Sequence, residues 1–491
     1  MKRFLCLGAV LVLFVICSGC GDVFRPIIVP TPQQFPNPAA AHTVVTISDN
    51  ANLVNGQEFP QAGSVMVIDV SGDTDVSQKT VGLRPVHAVQ QAANVMLLVN
   101  QSTQAMPQDS VNKLTFSGTI VGSVTTITLP PSYDGSGNLV SAAPNFVATT
   151  ESGKAYVSMP LYQPPNQQNI GGVIVPSIAV INTTANSIVA TVPVGTTVNA
   201  NPDAIAETPN GQKLYVANLG DNSVNAFNTI DRSARTVNPP NAFNSPLWIS
   251  ARSDNQRVYV LNGNGVVSTI DTSTTSGPDT VIDASITVPD AAYQWYDTIR
   301  NRLYIPQGPA QQITIVDVSQ SAPTVIGGGP LIIPTFPPTS RSAGDPCIAS
   351  TQNSPLFVAA ATSLPDGSRA YVGSFYVDSN DNICPQVTVI NAPTTTIKTT
   401  VPVPGFPDAT NPNSLFYVPI CAKTRFRFNM AAAGDSTRAY LSSCDGGNVN
   451  IVDTSTDTYV LNDPAPHSAR PPIPPSTQNP PQNPVFMIAG P

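Results

Sequence analysis

A short sequence pattern recurs six times along this chain of 491 residues. Each copy begins with Lys or Arg, continues through one spacer residue to Tyr, and ends in a branched aliphatic residue. The copies are KAYV (154–157), KLYV (213–216), RVYV (257–260), RLYI (302–305), RAYV (369–372) and RAYL (438–441). Apolar runs that end in Asp or Asn form a second set: VMVID (65–69), IAVIN (178–182), VNAFN (224–228), VSTID (267–271), ITIVD (313–317), VTVIN (387–391) and VNIVD (449–453). Such self-similarity indicates a fold built from equivalent units.

The unit that begins at residue 201 shows the expected structure of one repeat most clearly. Four strand-like segments follow one another, namely PDAIAET, KLYVANL, SVNAFNT and residues 232–237, with the turn sequences PNGQ and GDN between the first three. Short β-rich segments that repeat every 40 to 50 residues or so are typical of propeller blades. We therefore predict an all-β fold, a single closed β-propeller of four-stranded blades.

Eight blades can be counted, with seven as the alternative. Seven units lie at 86–129, 144–195, 201–237, 245–288, 291–327, 355–403 and 425–462, although the first of these lacks the Tyr. The eighth requires both termini: PVFMIAG (484–490) resembles an inner strand, and TVVTIS (43–48), SVMVID (64–69) and KTVGL (79–83) resemble the other three. Closing the ring in this way removes exposed sheet edges. The propeller would span residues 43–491, with a Pro-rich loop at 464–484 before the closing strand.

The repeated residues are expected to be structural. The Asp or Asn that ends each third strand can accept hydrogen bonds from backbone N–H groups two residues further on, which starts the turn into the outer strand. The repeated Tyr residues are expected to pack between blades.

The segments KLYVANLGDNSVNAFNT and RAYLSSCDGGNVNIVDTSTDT resemble the YVTN-type β-propeller repeat, whose namesake Tyr-Val-Thr-Asn is Tyr215-Val216-Ala217-Asn218 here. The resemblance covers most of residues 43–490 and implies the fold. It implies little about activity, because the family includes many exported and surface proteins of unknown role. The repeat is more distantly similar to lactonase and quinoprotein propellers.

The N-terminus predicts export and membrane anchoring. Lys2 and Arg3 precede a short apolar run, and Ser18-Gly19-Cys20 follows it. This end resembles the bacterial lipoprotein signal, in which the Cys is acylated, although Cys17 stands where that pattern prefers Leu. Residues 1–19 would be the signal peptide, Cys20 the lipidated residue, and the Pro-rich residues 20–42 a tether. An ordinary signal peptide is the alternative.

Four further cysteines are candidates for disulfides: Cys347, Cys384, Cys421 and Cys444. An even count in an exported chain suggests two bridges, with free buried thiols as the alternative. The loops that carry them emerge on one face of a propeller, which favours Cys347 with Cys384 and Cys421 with Cys444.

The sequence predicts no catalytic residue, metal site or cofactor. It has no GxSxG motif, and Ser436 falls in a predicted turn. The histidines are His42, His87 and His467, which would need distant segments to converge. Residues 378–382 (DSNDN) resemble the start of a calcium loop, but Ile383 and Val389 stand where Gly and Glu are expected, so a solvated hairpin loop is favoured. Trp248 and Trp295 are assigned to core packing on inner strands.

Composition excludes one class of partner. Charged residues make up 11% of the chain and the net charge is -8, which argues against nucleic acid.

We expect a non-catalytic, extracytoplasmic binding or scaffold protein, with a protein, peptide or glycan partner held by the loops at 162–175, 331–354 and 376–385. The alternatives are a lactonase-like or quinoprotein-like enzyme and a structural component of the envelope or surface layer. Inward Asp, Arg and His at the channel mouth would favour the enzyme, whereas apolar or Ser/Asn/Thr lining would favour binding.

Overall fold

The computed structural model describes residues 43–490 except 55–56, 60, 104–106, 151–152, 166–171, 240–241, 274–277, 411–416 and 461–482. Several features predicted from the sequence lie outside the described residues: the signal peptide, Cys20, the tether, His42, His467 and nearly all of the Pro-rich loop at 464–484.

Eight antiparallel four-stranded sheets form the blades of a closed propeller, which confirms the larger blade count. From inner to outer strand, blade 1 consists of Asn483–Ala489, Thr43–Asp49, Ala62–Asp69 and Thr74–Leu83, and blade 2 of Pro85–Ala92, Val95–Asn100, Ser110–Ser117 and Ile120–Thr128. In the same order, blade 3 consists of Val147–Ala148, Lys154–Met159, Ser177–Asn182 and Ser187–Pro193, and blade 4 of Pro202–Glu207, Lys213–Asn218, Ser223–Asn228 and Ala234–Thr236.

From inner to outer strand, blade 5 consists of Pro246–Ala251, Arg257–Asn262, Val266–Asp271 and Thr280–Thr287, and blade 6 of Trp295–Asp297, Arg302–Gln307, Gln312–Asp317 and Thr324–Val325. In the same order, blade 7 consists of Phe357–Ser363, Arg369–Val377, Asn382–Asn391 and Thr396–Pro402, and blade 8 of Phe428–Ala432, Arg438–Ser443, Asn448–Asp453 and Thr458–Tyr459. Short strands Leu331–Ile332 and Phe406–Pro407 extend blades 6 and 7.

Little else in the described part of the chain is regular. Two small hairpins pair Asn52–Val54 with Gln57–Phe59 and Ser132–Tyr133 with Leu139–Val140. The helical elements are the α-helix Pro419–Lys423 and the 3-10 turns Ile326–Gly328 and Pro338–Ser340.

The blades bury their second and third strands on both faces, because each sheet lies between two others. The second strand Lys213–Asn218 is buried at every position after Lys213, whereas the outer strand Ser187–Pro193 is only partly covered. The Tyr of the repeat is fully buried in all six copies, which confirms its predicted packing role.

The Asp or Asn that ends each third strand starts the next turn, as predicted. In the turn of blade 8 the Asp453 carboxylate accepts the Ser455 N–H at 2.7 Å, and in blade 4 the Asn228 amide oxygen accepts the Ile230 N–H at 2.8 Å. The equivalent bond is present after Asp69, Asn182, Asp271 and Asp317, whereas the Asn391 amide oxygen accepts the N–H three residues further on, that of Thr394, at 3.3 Å.

Three neighbouring pairs of blades are joined by the same interaction, which we call the interblade clamp. The basic residue and the Tyr of one repeat both bind an Asp in the turn between the third and outer strands of the following blade. The three clamps are Lys213 and Tyr215 with Asp279, Arg369 and Tyr371 with Asp457, and Arg438 and Tyr440 with Asp73. Donor–acceptor distances are 2.6 to 2.9 Å.

The clamps change the ionisation of their members. Burial and the Asp279 carboxylate both raise the pKa of Tyr215, so its hydroxyl stays a donor. Burial alone would raise the pKa of Asp457, but hydrogen bonds from Lys398, Arg369 and Tyr371 outweigh it and lower that pKa.

Strands from the two ends of the described chain meet in blade 1, as predicted. Thr43–Asp49 pairs on one side with Asn483–Ala489 and on the other with Ala62–Asp69. The clamp at Asp73 then fastens blade 8 to blade 1 across the seam of the ring, with Tyr440 Oη at 2.7 Å from the carboxylate. Asp73 is 3% exposed, so this interaction is formed away from bulk water.

Replacing Asp73 should destabilise the whole ring. The φ of Asp73 is 48°, which Asn tolerates, so Asp73→Asn keeps the turn and removes the charge that Arg438 and Tyr440 bind. We expect the free energy of unfolding in urea to fall by about 2 kcal/mol. Asp231→Asn, in the exposed turn of blade 4, is the control and should unfold close to the wild type. Equal midpoints for both variants would show that the seam does not depend on this clamp.

Candidate functional site: the plugged central channel

The inner strands of all eight blades line a central channel and begin at the same face of the ring. This face also receives the long connections that enter blades 3, 7 and 8, at residues 129–146, 333–356 and 403–427. We call it the loop face.

Two disulfides brace the loop face with the predicted pairing. Cys347 joins Cys384, which lies within the third strand of blade 7, and Cys421 of the helix Pro419–Lys423 joins Cys444. The fully buried Arg341 side chain adds a polar brace, since it donates to the carbonyls of Val403 and Pro385 at 2.8 and 3.0 Å. The described parts of the connections at 333–356 and 403–427 are therefore fastened to the blades.

The connection that enters blade 8 inserts into the channel. Arg425 lies at its end, yet its guanidinium pairs at 2.6 Å with Asp203 of blade 4, on the opposite side of the eight-bladed ring. A second guanidinium nitrogen donates to the Leu247 carbonyl at 2.8 Å. Asn145 of the connection to blade 3 donates weakly to the same Asp203 carboxylate at 3.4 Å. The ion pair thus crosses the channel mouth.

Below this ion pair, aromatic side chains and one imidazole fill the channel. Together with Arg425, we call these side chains the plug. Phe426 contacts Trp248, Tyr293 and Phe486 with ring centroids 5.1 to 6.4 Å apart. His87 and Phe146 complete the cluster, with centroids 4.5 Å apart, and the Arg425 guanidinium lies 5.0 Å from the Phe146 and Trp248 rings. Offset and edge-on arrangements of this kind stabilise aromatic clusters.

Arg427, two residues further on, anchors the same connection. Its guanidinium binds Asp445 at 2.7 and 2.8 Å and Asp408 at 2.7 Å, and it lies over the Phe375 ring. Burial alone would lower the pKa of Arg427, but the two carboxylates raise it. Both arginines of this connection, Arg425 and Arg427, are therefore engaged with carboxylates.

On the loop-face side of the plug lies an apolar cleft of about 740 Å³, the mouth cleft. Phe357, Phe375 and Phe428 form one wall, with the last two stacked at 4.5 Å. Phe357 is 42% exposed, and its ring packs so tightly on Gly308 that a Cβ there would lie 2.4 Å away. Pro309 and Pro355 continue the apolar surface.

On the other side of the plug, toward the carboxyl ends of the inner strands, lies the lower cavity of about 490 Å³. Its walls include both tryptophans of the chain, Trp248 and Trp295, and the polar side chains Ser250, Gln294 and Thr362. The assignment of the tryptophans to core packing was thus incomplete, because their rings also line the channel.

His87 lies between the rings of Phe146 and Phe486 and lines the lower cavity. Burial, and to a lesser degree the Arg425 charge, lower the pKa of His87 to about 3. The imidazole is therefore neutral at pH 7, and its Nδ1 accepts the Val147 N–H at 3.4 Å.

The other residues considered from the sequence have structural surroundings. Ser436 is buried in a turn, where its hydroxyl accepts the Asp366 N–H at 3.0 Å. Asp378 directly follows the second strand of blade 7, Arg369–Val377, and starts the hairpin turn, where it accepts the N–H groups of Asn380 and Asn382. These hydrogen bonds agree with the predicted hairpin. Asp378 is buried, however, and not solvated as expected. Residues 376–385 also form mostly paired strands instead of the predicted loop. Its neighbours Cys347 and Cys384 have their sulfurs in a disulfide, so no thiolate is there to bind a metal.

Sequence reasoning missed the plug. The only signal was the length of the connection between Pro402 and Phe428, which carries no repeat pattern.

These features define an eight-bladed β-propeller whose channel is divided by a plug. Similar solved structures include apo AztD from Citrobacter koseri, at TM-score 0.55 and 10% identity over 91% of this chain and 98% of that one. Another is the dihydro-heme d1 dehydrogenase NirN in complex with DHE, at TM-score 0.52 and 11% identity over 89% and 76%. At such identities the likeness shows the fold alone.

No protein-family model matches this chain, and no curated protein is similar to it in sequence. Among the described residues, no helix has both the length and the apolar character of a membrane span.

The half-buried His87, packed between two rings, should make stability depend on pH. Its pKa is about 3 in the folded protein and near 6.5 in the unfolded chain, so the unfolded chain binds the extra proton between these values. The free energy of unfolding should therefore fall as the pH drops from about 6.5 toward 4.5, by up to about 2.5 kcal/mol from this group. The His87→Gln variant retains His42 and His467 but should lose that component in urea titrations at several pH values. Identical pH profiles for the two proteins would contradict a lowered pKa for this imidazole.

Proposed function

We propose that this protein is a non-catalytic binding propeller whose loop face holds an extended segment of a partner protein in the mouth cleft. The observation that carries the proposal is the state of the charged groups at the mouth. Arg425 is paired with Asp203, and Arg427 with Asp408 and Asp445, so these groups hold the plug in place. The exposed surface that they leave is apolar.

The shape and chemistry of the cleft support a peptide ligand. A volume of about 740 Å³ lies within the usual range for ligand sites, which are mostly apolar. Aromatic and proline side chains such as Phe357, Phe375 and Pro355 suit the apolar side chains of an extended peptide. The two disulfides and the Arg341 brace fix the surrounding connections, which reduces the entropy lost on binding.

An enzyme would need groups free to exchange protons at the same place. His87 is neutral and packed among rings, and Asp203 is engaged by Arg425. The alternative of a lactonase-like or quinoprotein-like enzyme therefore gains no support from the described channel residues.

A photo-crosslinking pair tests the site directly. Benzoylphenylalanine placed at Phe357, in the full-length protein within intact cells, should crosslink to a specific protein whose modified peptide can be mapped. The same probe at Ile230, which is 78% exposed in a turn between the third and outer strands of blade 4, is the control. Excess unlabelled wild type should compete with the Phe357 crosslink.

Two results would overturn this function. One is equal crosslinking from both positions, and the other is turnover of lactones or alcohols by the wild type that is lost in Asp203→Asn. A crosslink between two copies of this chain would assign the cleft to self-association and so favour a structural envelope component.

We further propose that the chain resembles the YVTN-type proteins in being exported and that acylated Cys20 anchors it to a membrane. The motif Ser18-Gly19-Cys20 and two disulfides in the propeller support export. Cys20→Ser should move the protein from the membrane fraction to the soluble fraction, whereas Cys6→Ser should leave it membrane-bound. Membrane retention of Cys20→Ser would refute the anchor.

A further inference from the structure

The wall of the lower cavity contains a hydrogen-bond donor that the protein leaves without an acceptor. His87 lines this cavity and is half-buried. Its Nδ1 accepts the Val147 N–H, which assigns the proton of the neutral imidazole to Nε2. Among the described residues no acceptor bonds to Nε2, and this atom is not one of the buried polar atoms that lack a partner. The Nε2–H group is therefore open to a molecule in the cavity.

Trp295 adds an aromatic ring to the same wall. Its side chain is half-buried, and its indole N–H donates to the Ser363 hydroxyl at 3.0 Å, which restrains the ring. Trp248 packs against three other rings, whereas no ring in the described part of the chain packs against Trp295. A restrained ring without an aromatic neighbour is a surface on which a flat ligand can stack.

The lower cavity also has no charged side chain in its wall. Within the described part of the chain, none of its lining residues is Asp, Glu, Lys or Arg. His87 is the one titratable base there, and its low pKa keeps it neutral at pH 7. Since an unpaired charge is costly to bury, a ligand without charge fits this space best.

His87 and Trp295 lie on opposite sides of the channel. His87 belongs to the inner strand of blade 2, Pro85–Ala92, and Trp295 to that of blade 6, Trp295–Asp297, which is four blades away in a ring of eight. A ligand that contacts both side chains has to extend across the cavity, which favours fused rings over a single ring. The volume of about 490 Å³ lies within the usual range for small-molecule sites.

We propose that the lower cavity binds a neutral, flat compound of two or three fused aromatic rings, which stacks on Trp295 and accepts a hydrogen bond from His87. The acceptor is a ring nitrogen or a carbonyl oxygen, because Nε2–H can only donate. Trp248, Tyr293 and Phe486 supply further aromatic walls. The proposal is independent of the partner at the mouth cleft, because the plug separates the two spaces.

A pair of ligands of equal shape tests the hydrogen bond. Quinoxaline has two fused rings with acceptor nitrogens, and naphthalene has the same outline without an acceptor. Each would be titrated into the full-length protein at neutral pH by calorimetry. His87→Phe keeps a flat ring between Phe146 and Phe486 but removes the donor. It should weaken quinoxaline about tenfold, a loss of about 1.4 kcal/mol, and leave naphthalene within about twofold.

Two further comparisons use the same assay. His87→Gln supplies an amide N–H in place of the imidazole, so it should retain more of the quinoxaline affinity than His87→Phe does. Quinoxaline-2-carboxylate adds a charge to the same rings and should bind the wild type at least about tenfold more weakly than quinoxaline. Urea unfolding of each variant establishes that it is folded at the assay temperature.

A second pair of variants locates the ligand. Trp295→Leu removes the stacking surface and should weaken quinoxaline and naphthalene alike, by about fivefold. Phe357→Leu is the control, because it makes a similar change at a 42% exposed ring of the mouth cleft. It should leave both affinities unchanged.

These measurements can support or overturn the proposal. Saturable quinoxaline binding that depends on His87 and Trp295 but not on Phe357 would support it. Absence of saturable binding by either compound at millimolar concentration would overturn it, as would an equal effect of His87→Phe on the two ligands. Tighter binding of the carboxylate would also contradict it. Equal losses in Trp295→Leu and Phe357→Leu would place the ligand outside this cavity.

Discussion

The interblade clamp is the interaction on which the ring most depends. A propeller blade is a twisted sheet that buries both faces only against its neighbours, so any interaction that fixes the angle between two blades acts on the whole ring. The buried Tyr and the basic residue of one repeat supply the donors, and an Asp from the next blade receives both. At Asp73 the clamp joins residues 367 positions apart and closes the ring at the seam.

The plug divides the central channel of the closed ring into two spaces. Its Arg425 emerges from the connection into blade 8 and pairs with Asp203 four blades away, so one ion pair ties opposite sides of the channel together. The pair is partly buried and has further hydrogen bonds from Asn145 and to Leu247, which compensate for the desolvation of both charges. The disulfide Cys421–Cys444 holds the segment that carries Arg425 and Phe426 against blade 8.

The fold was predictable because its signal is local and repeated. Alternating apolar residues and a turn-starting Asp or Asn recur in seven of the eight blades, and even the terminal strand at 484–490 could be assigned because the count required it. The disulfides followed from the loops that share one face. The Asp partners of the clamps were not predictable, since Asp73, Asp279 and Asp457 look like ordinary turn residues until the neighbouring blade is placed. Arg425 and Phe426 lie in a segment without any repeat, and nothing local indicates that they enter the channel.

The arginine of the plug also acts on both spaces. On the mouth side its charge is balanced by Asp203, so the cleft presents apolar surface beside a neutralised pair. On the other side its field adds to burial in disfavouring a proton on His87, the one histidine of the described chain. The same guanidinium therefore spans the mouth and, together with burial, lowers the pKa of His87 in the lower wall. A side chain that extends across the channel can thus give one propeller two cavities of unlike chemistry.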